Sequence, residues 1–99
     1  MGWNLIAPWK LQVGKAQVVA VGAAHAESTA LGAYTNAVLL SSTTNCHVRI
    51  GRPGLAAVAT DTLIKASDPP IVLGCAPGDE VSVIQDAAAG NLSITELTH

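Results

Sequence analysis

The pentapeptide Cys46-His47-Val48-Arg49-Ile50 alternates strictly, placing Cys46, Val48 and Ile50 on one side of an extended chain and His47 and Arg49 on the other. Successive side chains of a β-strand point to opposite faces, so this pattern predicts a strand buried on one side. It stops at Gly51-Arg52-Pro53-Gly54, because proline has no N–H for a ladder and glycine admits positive φ. Similar breaks follow a Ser/Thr/Asn stretch ending at Asn45, Asp68-Pro69-Pro70, Pro77-Gly78 and the small residues 87–91. Turn signals about every 8–12 residues are the spacing of an all-β sandwich or barrel.

Strands are expected over residues 37–42, 46–50, 60–64, 71–75, 80–85 and 92–97. Residues 10–13 and 15–21, divided by Gly14, read as one bent strand or two short ones. Pro77-Gly78 carries the residues of a type II turn, with Asp79 serving that turn by local hydrogen bonds. Residues 22–35, bracketed by Gly22 and Gly32, read as a loop holding at most a short helix. The expected fold is all-β: a small β-sandwich or jelly-roll-like barrel of seven or eight short strands with an extended N-terminal arm. Residues 1–9 form the arm and residues 10–99 a single β domain. The expected core is Val19, Val21, Val38, Leu40, Val48, Ile50, Leu63, Val72, Val81, Val83, Leu92 and Ile94.

Composition says what kind of surface surrounds that core. Charged residues are 12% of the 99, about half the usual share, while hydrophobic residues are 49% with no Phe. Such a chain is too apolar to be disordered, and a net charge of −2 argues against a nucleic-acid partner. So few charges cover a monomer's surface thinly, which favours a homo-oligomer in which part of that surface is interface. The start of the chain lacks the basic and apolar regions of a signal peptide, and the apolar run of residues 18–24 is too short to span a bilayer. The expectation is a protein made in a cytosol, with no membrane partner and with Cys46 and Cys75 as buried free thiols.

The chemistry-bearing residues form no recognisable constellation. Cys46 and His47 are adjacent, so a strand sends them to opposite faces and they cannot readily share an ion; no metal site and no cofactor are expected. The acidic residues Glu27, Asp61, Asp68, Asp79, Glu80, Asp86 and Glu96 lack a calcium-loop spacing. Ser41, His47 and Asp61 can be assembled into a triad on paper, but no nucleophile elbow or phosphate loop accompanies them. His47 is expected on a solvent face and Asp61 at the start of a strand, and no enzymatic activity is expected. The arm stands out instead. Trp3, Leu5, Ile6, Pro8 and Trp9 form an uncharged cluster, and tryptophan is enriched at interface hot spots. The arm is read as a candidate interface, with folding back onto its own domain as the alternative.

Four runs follow in order: His47-Val48-Arg49-Ile50-Gly51, Ala57-Val58-Ala59-Thr60-Asp61-Thr62-Leu63-Ile64, Pro77-Gly78-Asp79-Glu80-Val81-Ser82-Val83-Ile84 and Gly90-Asn91-Leu92-Ser93-Ile94-Thr95-Glu96-Leu97. Together they resemble a family of short accessory proteins encoded by tailed bacteriophages and prophages among the virion structural genes. The resemblance covers residues 46–97, about half the chain, and rests on turns and strand edges. It implies a capsid decoration, cement or minor capsid protein, a β-sandwich or jelly-roll module favouring a trimer. The implied partner is the phage's major capsid protein, and the implied location is the capsid surface after synthesis in the host cytoplasm. A tail, baseplate or fibre-associated module is the alternative, and a glycan-binding attachment module a further one.

Overall fold

The computed structural model describes residues 10–98. The arm residues Trp3, Leu5, Ile6, Pro8 and Trp9 therefore lie outside the described residues, as does His99. Eight strands run in chain order: β1 Lys10–Val21, β2 Ala26–Glu27, β3 Ala37–Ser42, β4 Cys46–Gly51, β5 Thr62–Ile64, β6 Ile71–Gly74, β7 Glu80–Gln85 and β8 Gly90–Thr98. They form two four-stranded antiparallel sheets of order β1-β8-β3-β6 and β2-β7-β4-β5. This pairing of first with last, and of alternate strands across two sheets, is the strand order of a jelly roll.

Local chemistry sets the bends. Of the two forms open to residues 10–21, one bent strand or two short ones, the chain takes the first. Gly14 sits at φ 79°, and the register against β8 shifts between Leu11 and Ala16, the signature of a bulge. Gly78 takes φ 85° and the Asp79 N–H donates to the Ala76 carbonyl at 3.1 Å, which closes the Pro77-Gly78 turn as a type II sequence requires. The Asp79 carboxylate in turn accepts from the Ala76 N–H at 2.9 Å.

The core lies between the sheets and is built from small aliphatics of both. Val19, Val38, Leu40, Leu92 and Ile94 come from the first sheet, and Cys46, Val48, Ile64, Val81 and Val83 from the second. Nine of the twelve expected core residues are buried there; Ile50 is half-buried against its rim.

Leu63 and Val72, by contrast, are each 42% exposed. In β5 it is Ile64 that turns inward, and in β6 it is Ile71 and Leu73 that pack against the core. Both strands are short apolar strings, where a period of two cannot be read. Residues 22–35 hold no helix among the described residues; they contain β2, whose Ala26 and Glu27 pair with Val83 and Ser82. Thr60 and Asp61 precede β5, Cys75 follows β6, and β8 begins at Gly90 rather than after a turn. Cys46 and Cys75 are both free thiols, Cys46 buried and Cys75 half-buried.

Candidate functional site

The two outer faces of the jelly roll differ in chemistry. On the β2-β7-β4-β5 side, His47 stands between Ile84 and Leu63 across the ladders, and Arg49 stands opposite Ser82. The alternation places both on the outer face, yet His47 is only 8% exposed. Residues 52–61 fold over part of this face, above Ser82, Arg49 and His47. The Ala57 N–H donates to Ser82 Oγ at 2.9 Å, and the Val58 N–H donates to Asp61 Oδ2 at 2.8 Å. The Arg49 guanidinium donates twice to Asp61 Oδ1, at 3.0 and 3.1 Å. His47 is therefore no solvent-face histidine, because a loop from the same chain lies over it. Its Nδ1 is 2.9 Å from the Asp61 carbonyl oxygen and its Nε2 is 2.9 Å from Asp86 Oδ1.

These contacts fix the electrostatics of the cluster. The Asp86 carboxylate and then the Asp61 carbonyl raise the His47 pKa above its ordinary 6.5, since both favour the protonated ring. The Val58 N–H, and after it the Arg49 guanidinium, lower the Asp61 carboxyl below its ordinary value. Beside it, Glu27 accepts from Ser82 Oγ at 3.0 Å and meets His25 Nδ1 at 2.5 Å; the His25 contact chiefly lowers its carboxyl. Each acid and base in the cluster has a partner within it, so the arrangement acts as a clamp on residues 52–61.

The β1-β8-β3-β6 side is different. One row across all four strands runs Ala16, Thr95, Leu39 and Val72; the next runs Val18, Ser93 and Ser41; a third pairs Ala20 with Asn91. These positions alternate with the buried core residues and so face outward. No charged side chain stands in these rows. Val18 is 66% exposed and Val72 42%. At one edge of the same sheet, β1 pairs among the described residues with β8 alone, and it begins at exposed Lys10, directly after residues 1–9.

A third cluster ties the end of the sandwich together. Glu96 of β8 is 5% exposed, and its Oε1 accepts from the Gly32 N–H at 2.8 Å and from Thr35 Oγ1 at 2.5 Å. Gln12 Nε2 donates to Thr35 Oγ1 at 3.0 Å. Burial, and then the neighbouring Asp79 and Glu96 carboxylates, push the Cys75 thiol up to about 11, so this cysteine is a poor nucleophile at neutral pH. Burial likewise raises Cys46.

The paper triad is not assembled. Ser41 faces outward on the β3 side, whereas His47 and Asp61 lie together beyond the opposite sheet. Among the described residues there is no pocket and no group of three or more metal-ligating side chains. Sequence reasoning missed the clamp, because Asp86 is 39 positions from His47 and nothing local marks the pair. No protein-family model, curated protein or solved structure matches this chain.

Proposed function

We propose that this protein is a structural virion component of a tailed bacteriophage, decorating or cementing the capsid shell as a small homo-oligomeric jelly-roll module without enzymatic activity. One observation carries the reading: the uncharged, tryptophan-bearing segment of residues 1–9 directly precedes β1, which among the described residues pairs with β8 alone. In this reading the segment straps a neighbouring shell subunit while the body sits on the lattice. Several such contacts made at once give avidity, so individually modest contacts sum to a stable clamp. The jelly roll is an architecture used by viral capsid domains, which supports the reading without deciding it, since a fold hosts many functions.

The resemblance of residues 46–97 to phage accessory proteins points the same way, with the major capsid protein as partner. A tail, baseplate or fibre-associated position is the second reading, because β1 would serve a tail assembly equally well. A glycan-binding attachment role shares its architecture with lectins, but it would want an exposed aromatic platform, and outside residues 1–9 the chain has Tyr34 alone.

The test is the amount of this chain in purified virions of the phage that encodes it, by quantitative mass spectrometry. Hundreds of copies per particle support the shell reading, and a handful assigns the chain to the tail. Absence from the particle overturns both, and a glycan array then decides the attachment reading.

A further inference from the structure

We propose that Thr35 joins itself to Gln12 through an ester bond, with Glu96 as the base that takes up the hydroxyl proton. The reaction happens once per chain after folding, turns over no substrate, and is independent of where the protein works.

Placement gives the first argument. Three segments distant in sequence bring the groups to one end of the sandwich: Gln12 on β1, Thr35 in the turn before β3, and Glu96 on β8. The Thr35 hydroxyl donates to Glu96 Oε1 at 2.5 Å, and Gln12 Nε2 donates to Thr35 Oγ1 at 3.0 Å. A hydroxyl held between a carboxylate and an acyl group has the arrangement of a nucleophile beside its general base. The carbonyl carbon Cδ is bonded to Nε2, and the terminal torsion of glutamine is soft. Rotation about it turns Cδ toward Oγ1 without moving the backbone, and reacting atoms held in contact need no encounter from solution.

The surroundings give the second argument. Thr35 is 0% exposed and Glu96 5%, so water is kept from the reacting oxygen and from the ester once formed. The Gly32 N–H donates to Glu96 Oε1 at 2.8 Å and fixes the base. In a regular strand Gln12 and Lys15 would face opposite ways, but the bulge at Gly14 breaks that alternation. Lys15 Nζ, Glu96 Oε1 and Thr35 Oγ1 all lie within 3.8 Å of the position a Gly32 Cβ would take. Lys15 thus brings positive charge to the corner where the carboxamide oxygen gains negative charge during attack. The Cys75 thiol, pushed up to about 11, is no rival nucleophile at neutral pH.

The step balances without a further reactant. Thr35 Oγ1 bonds to Gln12 Cδ and the Cδ–Nε2 bond breaks. The hydroxyl proton passes by way of Glu96 to the departing nitrogen, which leaves as ammonia. The new bond fastens β1 to the segment that leads into β3.

The test is intact mass spectrometry of the folded full chain, followed by tryptic digestion. Cleavage after Lys10, Lys15 and Arg49 puts Gln12 on residues 11–15 and Thr35 on residues 16–49. The expected parent is one ammonia lighter than its sequence, with these two peptides joined and then released by alkaline hydroxylamine, which cleaves esters. Thr35→Val and Gln12→Met remove the nucleophile and the acyl group and should keep the full mass. Glu96→Gln keeps an acceptor oxygen but no base, and should convert about a hundredfold more slowly. Circular dichroism establishes that each chain is folded. A folded parent that keeps its full mass after prolonged incubation at neutral pH overturns the proposal. So does an ammonia loss that persists in Thr35→Val or leaves the two peptides separate.

Discussion

His47 and Asp86 form a contact that suits a charged imidazole better than a neutral one. Nε2 lies 2.9 Å from Asp86 Oδ1, while Nδ1 lies 2.9 Å from the Asp61 carbonyl oxygen. Both ring nitrogens meet an acceptor, and a neutral imidazole has a proton for only one of them. The protonated ring satisfies both, which is the physical reason that folding raises the His47 pKa.

The pH dependence follows from that direction. A raised folded pKa means stabilisation present in full below the ordinary histidine value of 6.5 and lost as pH rises through the folded value. Asp86→Asn keeps an acceptor but removes the charge. It should cost about 1 kcal/mol near pH 6, a charged hydrogen bond discounted for the exposed Asp86 carboxylate, and progressively less as pH rises through the folded His47 value. Urea unfolding of parent and variant across that range measures the difference; a gap of constant size would show that the ring proton plays no part.

Glu96 should be the most sensitive polar position. Replacing it by Ala leaves the Gly32 N–H and the Thr35 hydroxyl without their acceptor inside the fold, at an expected cost of about 2–4 kcal/mol. Glu96→Gln keeps an acceptor oxygen and should cost about 1 kcal/mol. Denaturant midpoints of the two variants against the parent supply the comparison.

The Phe-free core predicts cavity effects of ordinary size in a domain with little reserve. Leu40 and Ile94 are among the largest fully buried side chains, and truncating either to Ala should cost about 2–5 kcal/mol. That is a large fraction of the ~5–15 kcal/mol typical of a domain. Thermal unfolding should show either variant melting well below the parent.

The arm has its own test. Trp3→Ala/Trp9→Ala in the full chain should leave the unfolding temperature of the body unchanged while weakening attachment to phage heads. A fall in unfolding temperature with attachment intact would instead assign the arm to its own domain.

The parts of this fold that were legible in the sequence are those with local causes. Gly14 marks the bend in β1, Pro77-Gly78 makes its turn, and the alternation of β4 sorts Cys46 and Val48 inward from His47 and Arg49. What was not legible depends on distant partners. β2 is two residues, Ala26 and Glu27, held as a strand by pairing with β7. Leu63 and Ile64 are both apolar, so nothing local says which one faces inward. Alternation put His47 on the outer face, but its burial comes from residues 52–61 and from Asp86. The low charge hinted at an interface; only the strand order gathers Ala16, Thr95, Leu39 and Val72 into one row.

The central claim, that this module attaches to a phage shell, is tested most directly by binding to heads that lack it. Purified chain is added to heads from a phage with the gene deleted, and bound protein is measured after sedimentation. The account predicts saturable binding at a fixed stoichiometry of many copies per head, reduced in Trp3→Ala/Trp9→Ala. Chain that stays in the supernatant at every concentration, while heads from the intact phage also carry none, would contradict it.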